Sequence, residues 1–203
     1  FRPLAIKKRL DQREEKLRTN FPGHEAFINI LEDYDFEKRF VFGSFWEEEA
    51  KVFDANWDFA KSVVCIFPHR LDFESLESLY NKLSEKLDAP IYRLGADKEK
   101  NLKALSEFRR SPGPIIVEIK GVLLESYSDF GAAFVGGGHG VSVHSLMEPF
   151  MAGCFVMCGP KVFRSTEYDL IREHNPDRLQ IVDSLEDVSE NFKKSWTMKY
   201  SDH

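Results

Sequence analysis

Seven short apolar runs, spaced along the chain with turn residues and helical patterns between them, leave this sequence few ways to fold. The runs are Arg39–Phe42, Val63–Phe67, Ile91–Arg93, Ile115–Glu118, Ala132–Val135, Phe155–Met157 and Leu179–Val182. Each is short, rich in Val, Ile or Phe, and too brief for a helix, so each reads as a strand. Helical spacing fills the intervals at 47–61, 73–87, 98–109, 122–127, 143–152, 162–173 and 185–194. Ser44 with Glu47, and Ser184 with Asp187, have the spacing of capping boxes at two of these starts. Strands alternating with helices predict a mainly parallel, six- to seven-stranded sheet with helices on both faces, a Rossmann-like α/β fold. The near-continuous apolar character of the runs fits strands covered on both sides. Residues 1–34 break the rhythm, being helical and charged with no strand, and read as a connector or packing arm. Residues 35–203 read as the Rossmann-like domain proper.

Composition sets outer limits on what such a domain does. A chain of 203 residues, 42% hydrophobic and 31% charged, can bury one substantial core. No window approaches the roughly 18 consecutive apolar residues of a membrane-spanning helix. The formal net charge is −6, and no basic run is interleaved with aromatics, which argues against nucleic acid as a partner. The one basic cluster, Lys7-Lys8-Arg9 with Arg13, Lys16 and Arg18, is mixed with Asp11, Glu14 and Glu15. It reads as a solvated helix face, or as a contact for an anionic membrane surface. Cys65, Cys154 and Cys158 sit in or beside apolar runs, as reduced core thiols do in a cytosolic compartment. The chain begins with Phe1 rather than Met, as a processed or excised piece of a longer protein would.

In parallel sheets ligands collect at the carboxyl ends of the strands, and the chemically distinctive residues fall there. Gly43-Ser44-Phe45-Trp46 follows the first run, Pro68-His69-Arg70 the second, Lys120-Gly121 the fourth and Gly159-Pro160-Lys161 the sixth. The fifth leads into Gly136-Gly137-Gly138 and then, through His139-Gly140, into the amphipathic stretch 141–153. A strand turning through glycines into a helix predicts a phosphate cradle, with backbone N–H groups and the helix start facing the anion. In that expected helix His144 and Glu148 stand four apart and share a face, so an imidazole and a carboxylate can meet one ligand. The carboxylate suits the vicinal hydroxyls of a ribose. His139, His144 and Glu148 do not have the spacing of a zinc motif, and no metal or cofactor is expected.

These segments together resemble the C-terminal half of the bacterial 3-deoxy-D-manno-octulosonic acid (Kdo) transferases. The resemblance rests on Lys120-Gly121-Val122-Leu123, on 127–138, on Val143-His144-Ser145-Leu146-Met147-Glu148-Pro149 and on Cys158-Gly159-Pro160. Upstream it rests on Gly43-Ser44-Phe45-Trp46 with its following glutamates and on Pro68-His69-Arg70, so that it covers 39–182. Ser145, His139 and Phe45 stand where that family more often has Asn, an apolar or aromatic residue, and Thr.

The resemblance implies the nucleotide-sugar half of a two-domain, GT-B type glycosyltransferase that binds CMP-Kdo for transfer to a lipid A precursor in lipopolysaccharide core biosynthesis. It implies that Gly136, Gly137 and Gly138, with the helix start at His144 and Ser145, surround phosphate and sugar. His69 and Arg70 would offer charge to the departing CMP and Glu148 would hold the ribose. Lys120 and Gly121 would meet the cytosine edge, and Ser44 the phosphate or the sugar carboxylate. Lys161 joins them from its place on the rim. The catalytic base, a glutamate in the family, belongs to the other half, so this chain is expected to hold donor without catalysing the inverting transfer. The full-length protein would work at the cytoplasmic face of the inner membrane. A GT-B domain for a UDP-linked sugar, and a non-catalytic nucleotide-binding or interaction module, remain open alternatives.

Overall fold

The computed structural model describes residues 2–54, 57–163 and 165–195. Phe1 and 196–203, the outer ends of the two expected segments, lie outside the described residues. Seven strands form one all-parallel sheet in the order β3-β4-β2-β1-β5-β6-β7. They are β1 Arg39–Phe45, β2 Val63–Pro68, β3 Tyr92–Leu94, β4 Ile115–Val117, β5 Ala132–Val135, β6 Phe155–Cys158 and β7 Leu179–Ile181. Every strand coincides with one of the apolar runs.

Nine α-helices accompany them among the described residues: α1 Arg2–Asp11, α2 Arg13–Asn20, α3 His24–Glu32, α4 Phe73–Lys86, α5 Lys98–Phe108, α6 Leu123–Ser126, α7 Met147–Met151, α8 Thr166–His174 and α9 Val188–Ser195. Side-chain oxygens start three of them. Asp72 accepts from Ser75 N at 3.0 Å, Asp97 from Glu99 N at 3.0 Å and Ser165 from Tyr168 N at 3.2 Å. The two expected capping boxes do not form. Ser44 belongs to the end of β1, and Ser184 Oγ accepts from Glu186 N at 3.2 Å ahead of α9.

Alternation along the strands divides the core between the two faces. Val41, Val63, Cys65, Ile115, Ala133 and Val156 face α1–α3, α5, α6 and α8. Phe40, Phe42, Val64, Ile66, Phe134 and Met157 face α4, α9 and a 3-10 segment, Glu47–Val52. That short segment stands where helical spacing suggested a helix over 47–61. All three cysteines are buried thiols without disulfides.

The N-terminal helices are packed on the sheet, with Ile6, Leu17, Phe21, Phe27, Ile30 and Leu31 all in the first core. Of their basic cluster, Lys7, Lys8 and Arg18 are exposed, whereas the other three turn toward carboxylates of the sheet domain. Arg9 reaches Glu125 at 2.8 and 3.0 Å, Lys16 reaches the same carboxylate at 2.8 Å, and Arg13 pairs with Asp129. Glu125 is fully buried, and two cations offset the cost of placing its charge there.

The order of strands places β1 at the centre, with β2 on one side and β5 on the other. From β1 the chain crosses to β2, then to the edge strand β3 and back to β4 between them, before it reverses to build β5, β6 and β7 on the far side. Such a reversal opens a crevice between the flanking loops at the carboxyl ends of the strands.

Candidate functional site at the carboxyl rim

The rim is built outward from the end of β1. Its pairing with β2 shifts register between Phe42 and Phe45, and Ser44 takes a left-handed φ of 51°. A bulge of this kind turns the strand and re-aims the residues that follow. Gly43 is required within it, because a Cβ there would lie 2.0 Å from the Tyr127 hydroxyl oxygen. His69 N donates to Phe45 O at 2.8 Å, carrying the strand pairing one step further and setting His69 beside Trp46.

Three rings then gather. The Trp46 and His144 rings are nearly parallel, 14° apart, with the indole Nε1–H donating to His144 Nε2 at 3.1 Å. His69 lies across both, its ring centroid 4.1 Å from that of Trp46 and 4.4 Å from that of His144. The Arg70 guanidinium stands 5.7 Å from the Trp46 ring. Burial pushes both imidazoles below their ordinary pKa, helped at His69 by the Arg70 charge and at His144 by His69. Accepting the indole hydrogen requires the neutral form of His144, so the hydrogen bond and the depressed pKa agree.

The glycine loop packs against this group, but not as an open cradle. Gly136 N donates to Gly43 O at 2.9 Å, and Gly137 N donates to Glu49 Oε1 at 2.8 Å. A Cβ on Gly136 would meet Ser44 O at 2.3 Å, one on Gly137 Ser142 O at 2.3 Å, and one on Gly138 Gly159 N at 2.7 Å. The three glycines are therefore needed for close packing of protein on protein. Two of the N–H groups expected to face a phosphate are already bonded. Lys161 closes the loop from β6, its N donating to Gly138 O at 2.9 Å and its Nζ to Gly140 O.

The helix expected after the glycines also differs. Residues 141–146 are not helical, because His144 N is held by Gly136 O at 3.2 Å and Val143 N by Lys161 O at 3.3 Å. Only Met147–Met151 is helical, and Glu167 Oε2 occupies its start, accepting from Leu146 N at 2.8 Å, Met147 N at 2.9 Å and Ser145 Oγ at 3.1 Å. His144 and Glu148 consequently do not share a helix face. His144 joins the rings, whereas Glu148 lies toward α1, with Arg2 Nη2 at 4.0 Å from its Oε1. Burial raises the Glu148 carboxyl pKa, while the Arg2 and Arg9 charges lower it.

Ser44, His69, Arg70, Gly136, Gly137, Gly138, His144 and Lys161 are thus brought to the ends of four neighbouring strands, β2, β1, β5 and β6. Lys120 and Gly121 are exposed at the end of β4, one strand beyond β2, with Gly121 at φ 80°. Ser145 and Glu148 belong to the α7–α8 side. A cavity of about 260 Å³ opens beside Trp46 and Arg70, lined also by Phe45, Glu47, Glu48 and Pro68. A larger one, about 430 Å³, lies at the opposite end of the sheet. Charges there neutralise one another, Arg109 with Asp33 at 3.1 Å and Lys38 with Asp35 at 2.8 Å, so the rim is the stronger candidate.

Glu49 is the site residue that sequence reasoning passed over. It is 3% exposed, and burial raises its carboxyl from 4.5 to about 7, against two backbone N–H bonds that lower it. A pKa higher in the folded than in the unfolded chain means that folding holds a proton between pH 4.5 and about 7. Stability from this group is therefore greatest at the acid end and falls as pH rises through that window, by about 3 kcal/mol in all. Urea denaturation at half-unit pH steps should show this component in the wild type and lack it in Glu49→Gln.

Fold and rim together define a Rossmann-like α/β domain with its candidate ligand site at the topological switch point. No protein-family model matches the chain, and no curated protein matches it. Among solved structures, it is similar to the C-terminal CMP-Kdo binding domain of WaaA from Acinetobacter baumannii, with a TM-score of 0.59 and 14% sequence identity. The match covers 95% of this chain and 89% of that one. At this identity the likeness is one of fold.

Proposed function

We propose that this chain is the nucleotide-sugar-binding domain of a GT-B type glycosyltransferase of the Kdo transferase kind, with CMP-Kdo as its donor. One observation carries the reading: Trp46, His69, Arg70 and His144 converge beside the glycine loop at the switch point of a fold similar to a CMP-Kdo binding domain. Arg70 and Lys161 supply positive charge for the phosphate, and His69 and His144 supply ring N–H groups. The glycine loop serves as a close-packed floor rather than as a set of free donors. Lys120 and Gly121 border the base. Glu148 takes the ribose hydroxyls once Arg2 moves aside.

In this reading the leaving CMP is stabilised by the rim's cations, and a carboxylate of the other half of the enzyme deprotonates the acceptor hydroxyl as it attacks from the opposite face. The acceptor is a lipid A precursor, met at the cytoplasmic face of the inner membrane by the complete protein. Among the described residues, no helix is long and apolar enough to cross a membrane. The domain alone binds donor and does not transfer it.

A second reading, a non-catalytic module, draws on the bonds that Glu49 and Glu167 already make to the loop and to the start of α7. Calorimetry with CMP, CMP-Kdo, UDP and a UDP-sugar separates them. Cytidine preference, weakened about tenfold by Arg70→Ala, is the expected result. Uridine preference would point to a different donor, and absence of nucleotide binding would favour the second reading.

A further inference from the structure

The carboxylate of Glu49 joins the two parts of the rim that belong to different strands. Its Oε2 accepts from Trp46 N at 3.0 Å and its Oε1 from Gly137 N at 2.8 Å. Trp46 anchors the ring group, and Gly137 backs onto His144, whose Cδ2 would lie 3.1 Å from a Cβ placed there. Each oxygen therefore holds one side of the switch point. We propose that Glu49 is a positioning residue for the nucleotide site, tying the Trp46–His69–His144 group to the glycine loop at the spacing in which the rim accepts its ligand. The inference rests on the donor-binding reading above and deepens it.

The groups around Glu49 favour this role over a merely structural one. Glu48, exposed on the same 3-10 segment, is the neighbouring charge that acts on it, and it raises the carboxyl pKa further. From β1 the tie meets the uncharged Trp46 backbone, and from the loop after β5 the Gly137 backbone. In the ring group that the tie holds, His144 and His69 are both shifted toward the neutral form, and Glu47 on the same segment as Glu49 faces Ser78 and Lys82. A buried carboxylate without a cation is costly to keep, and such groups concentrate at functional sites. Protonation converts one carboxylate oxygen into a donor and removes an acceptor from either Trp46 N or Gly137 N. The tie therefore loosens as pH falls through neutrality.

Glu49→Gln preserves size and one acceptor oxygen but turns an NH2 group toward the other backbone N–H. In calorimetry with CMP on the full chain, the wild type should lose affinity as pH falls from 8 to 6. Glu49→Gln should bind about tenfold more weakly at pH 8 and lose the step near 7, keeping only the step near pH 6 that the phosphate of CMP itself contributes. Equal affinity and an unchanged pH profile in the variant would overturn the proposal. A second readout needs neither ligand nor variant. In the wild type the backbone amide resonances of Gly137 and Trp46 should titrate together with a midpoint near 7, apart from any lower histidine step. Independent or absent titration of the two would overturn the tie. Joint titration in a protein that binds no CMP would support the tie and reject the donor reading.

Discussion

Gly137→Ala is expected to destabilise the chain by about 3 kcal/mol and to weaken CMP binding by tenfold or more. Two costs combine at this position. Gly137 has φ 90°, a conformation that L residues adopt only with strain, and an added Cβ would approach Ser142 O to 2.3 Å. The same Cβ would stand 3.1 Å from His144 Cδ2 and 3.3 Å from its Nε2, so relief of the clash displaces the ring that Trp46 holds. Gly153→Ala is the informative control. Its φ is 102°, yet a Cβ there meets nothing within 4 Å, and it lies just ahead of β6 at the end of the sheet away from the rim. It should cost about 1 kcal/mol of strain and leave nucleotide affinity unaltered. Urea denaturation and calorimetry on both variants check the pair.

Phe42→Ala should cost about 4 kcal/mol, a large share of the 5–15 kcal/mol by which domains are commonly stable. Phe42 is fully buried on the central strand, with ring centroids of Phe53 at 4.9 Å, Phe192 at 5.2 Å, Phe45 at 5.5 Å and Phe134 at 5.7 Å. The surrounding rings are themselves packed, so relaxation fills the void only in part. The residue also immediately precedes the Gly43–Ser44 bulge, so its loss loosens the foundation of Trp46. Guanidinium denaturation measures the effect. A loss under about 1.5 kcal/mol would show that the aromatic cluster repacks and does not fix the rim.

The sheet was legible because the inner strands are buried on both faces and so write themselves as near-continuous apolar runs, while the edge strands β3 and β7 are short and mixed. The C-terminal rim was legible for a related reason, since parallel topology sends the residues after β1, β2, β5 and β6 to one edge whatever their side chains. Helix extent near the site was not. Spacing over 47–61 and 143–152 is compatible with helix, but the backbone at Val143 and His144 is claimed by Lys161 O and Gly136 O, partners remote in sequence. The role of the glycines was misread for the same cause. Three adjacent glycines signal close approach without saying of what, and here the approaching groups are Ser44 O, Ser142 O and the Glu49 carboxylate. Glu49 itself was hidden in the run Glu47-Glu48-Glu49, in which only the fold shows that the third turns inward. Glu167, which closes the start of α7, lies about twenty residues downstream and had no local signal.

The central claim is that the rim formed by the ends of β1, β2, β5 and β6 is a cytidine nucleotide site. Titrating the isotopically labelled chain with CMP, and following its resonances, tests this most directly. Saturable shifts should appear at the Trp46 indole, the Arg70 side chain, the His69 and His144 rings and the Gly137 amide, while Lys38 and Lys61 at the opposite end of the sheet stay fixed. Shifts confined to that opposite end, or no saturable shift at all, would contradict the account.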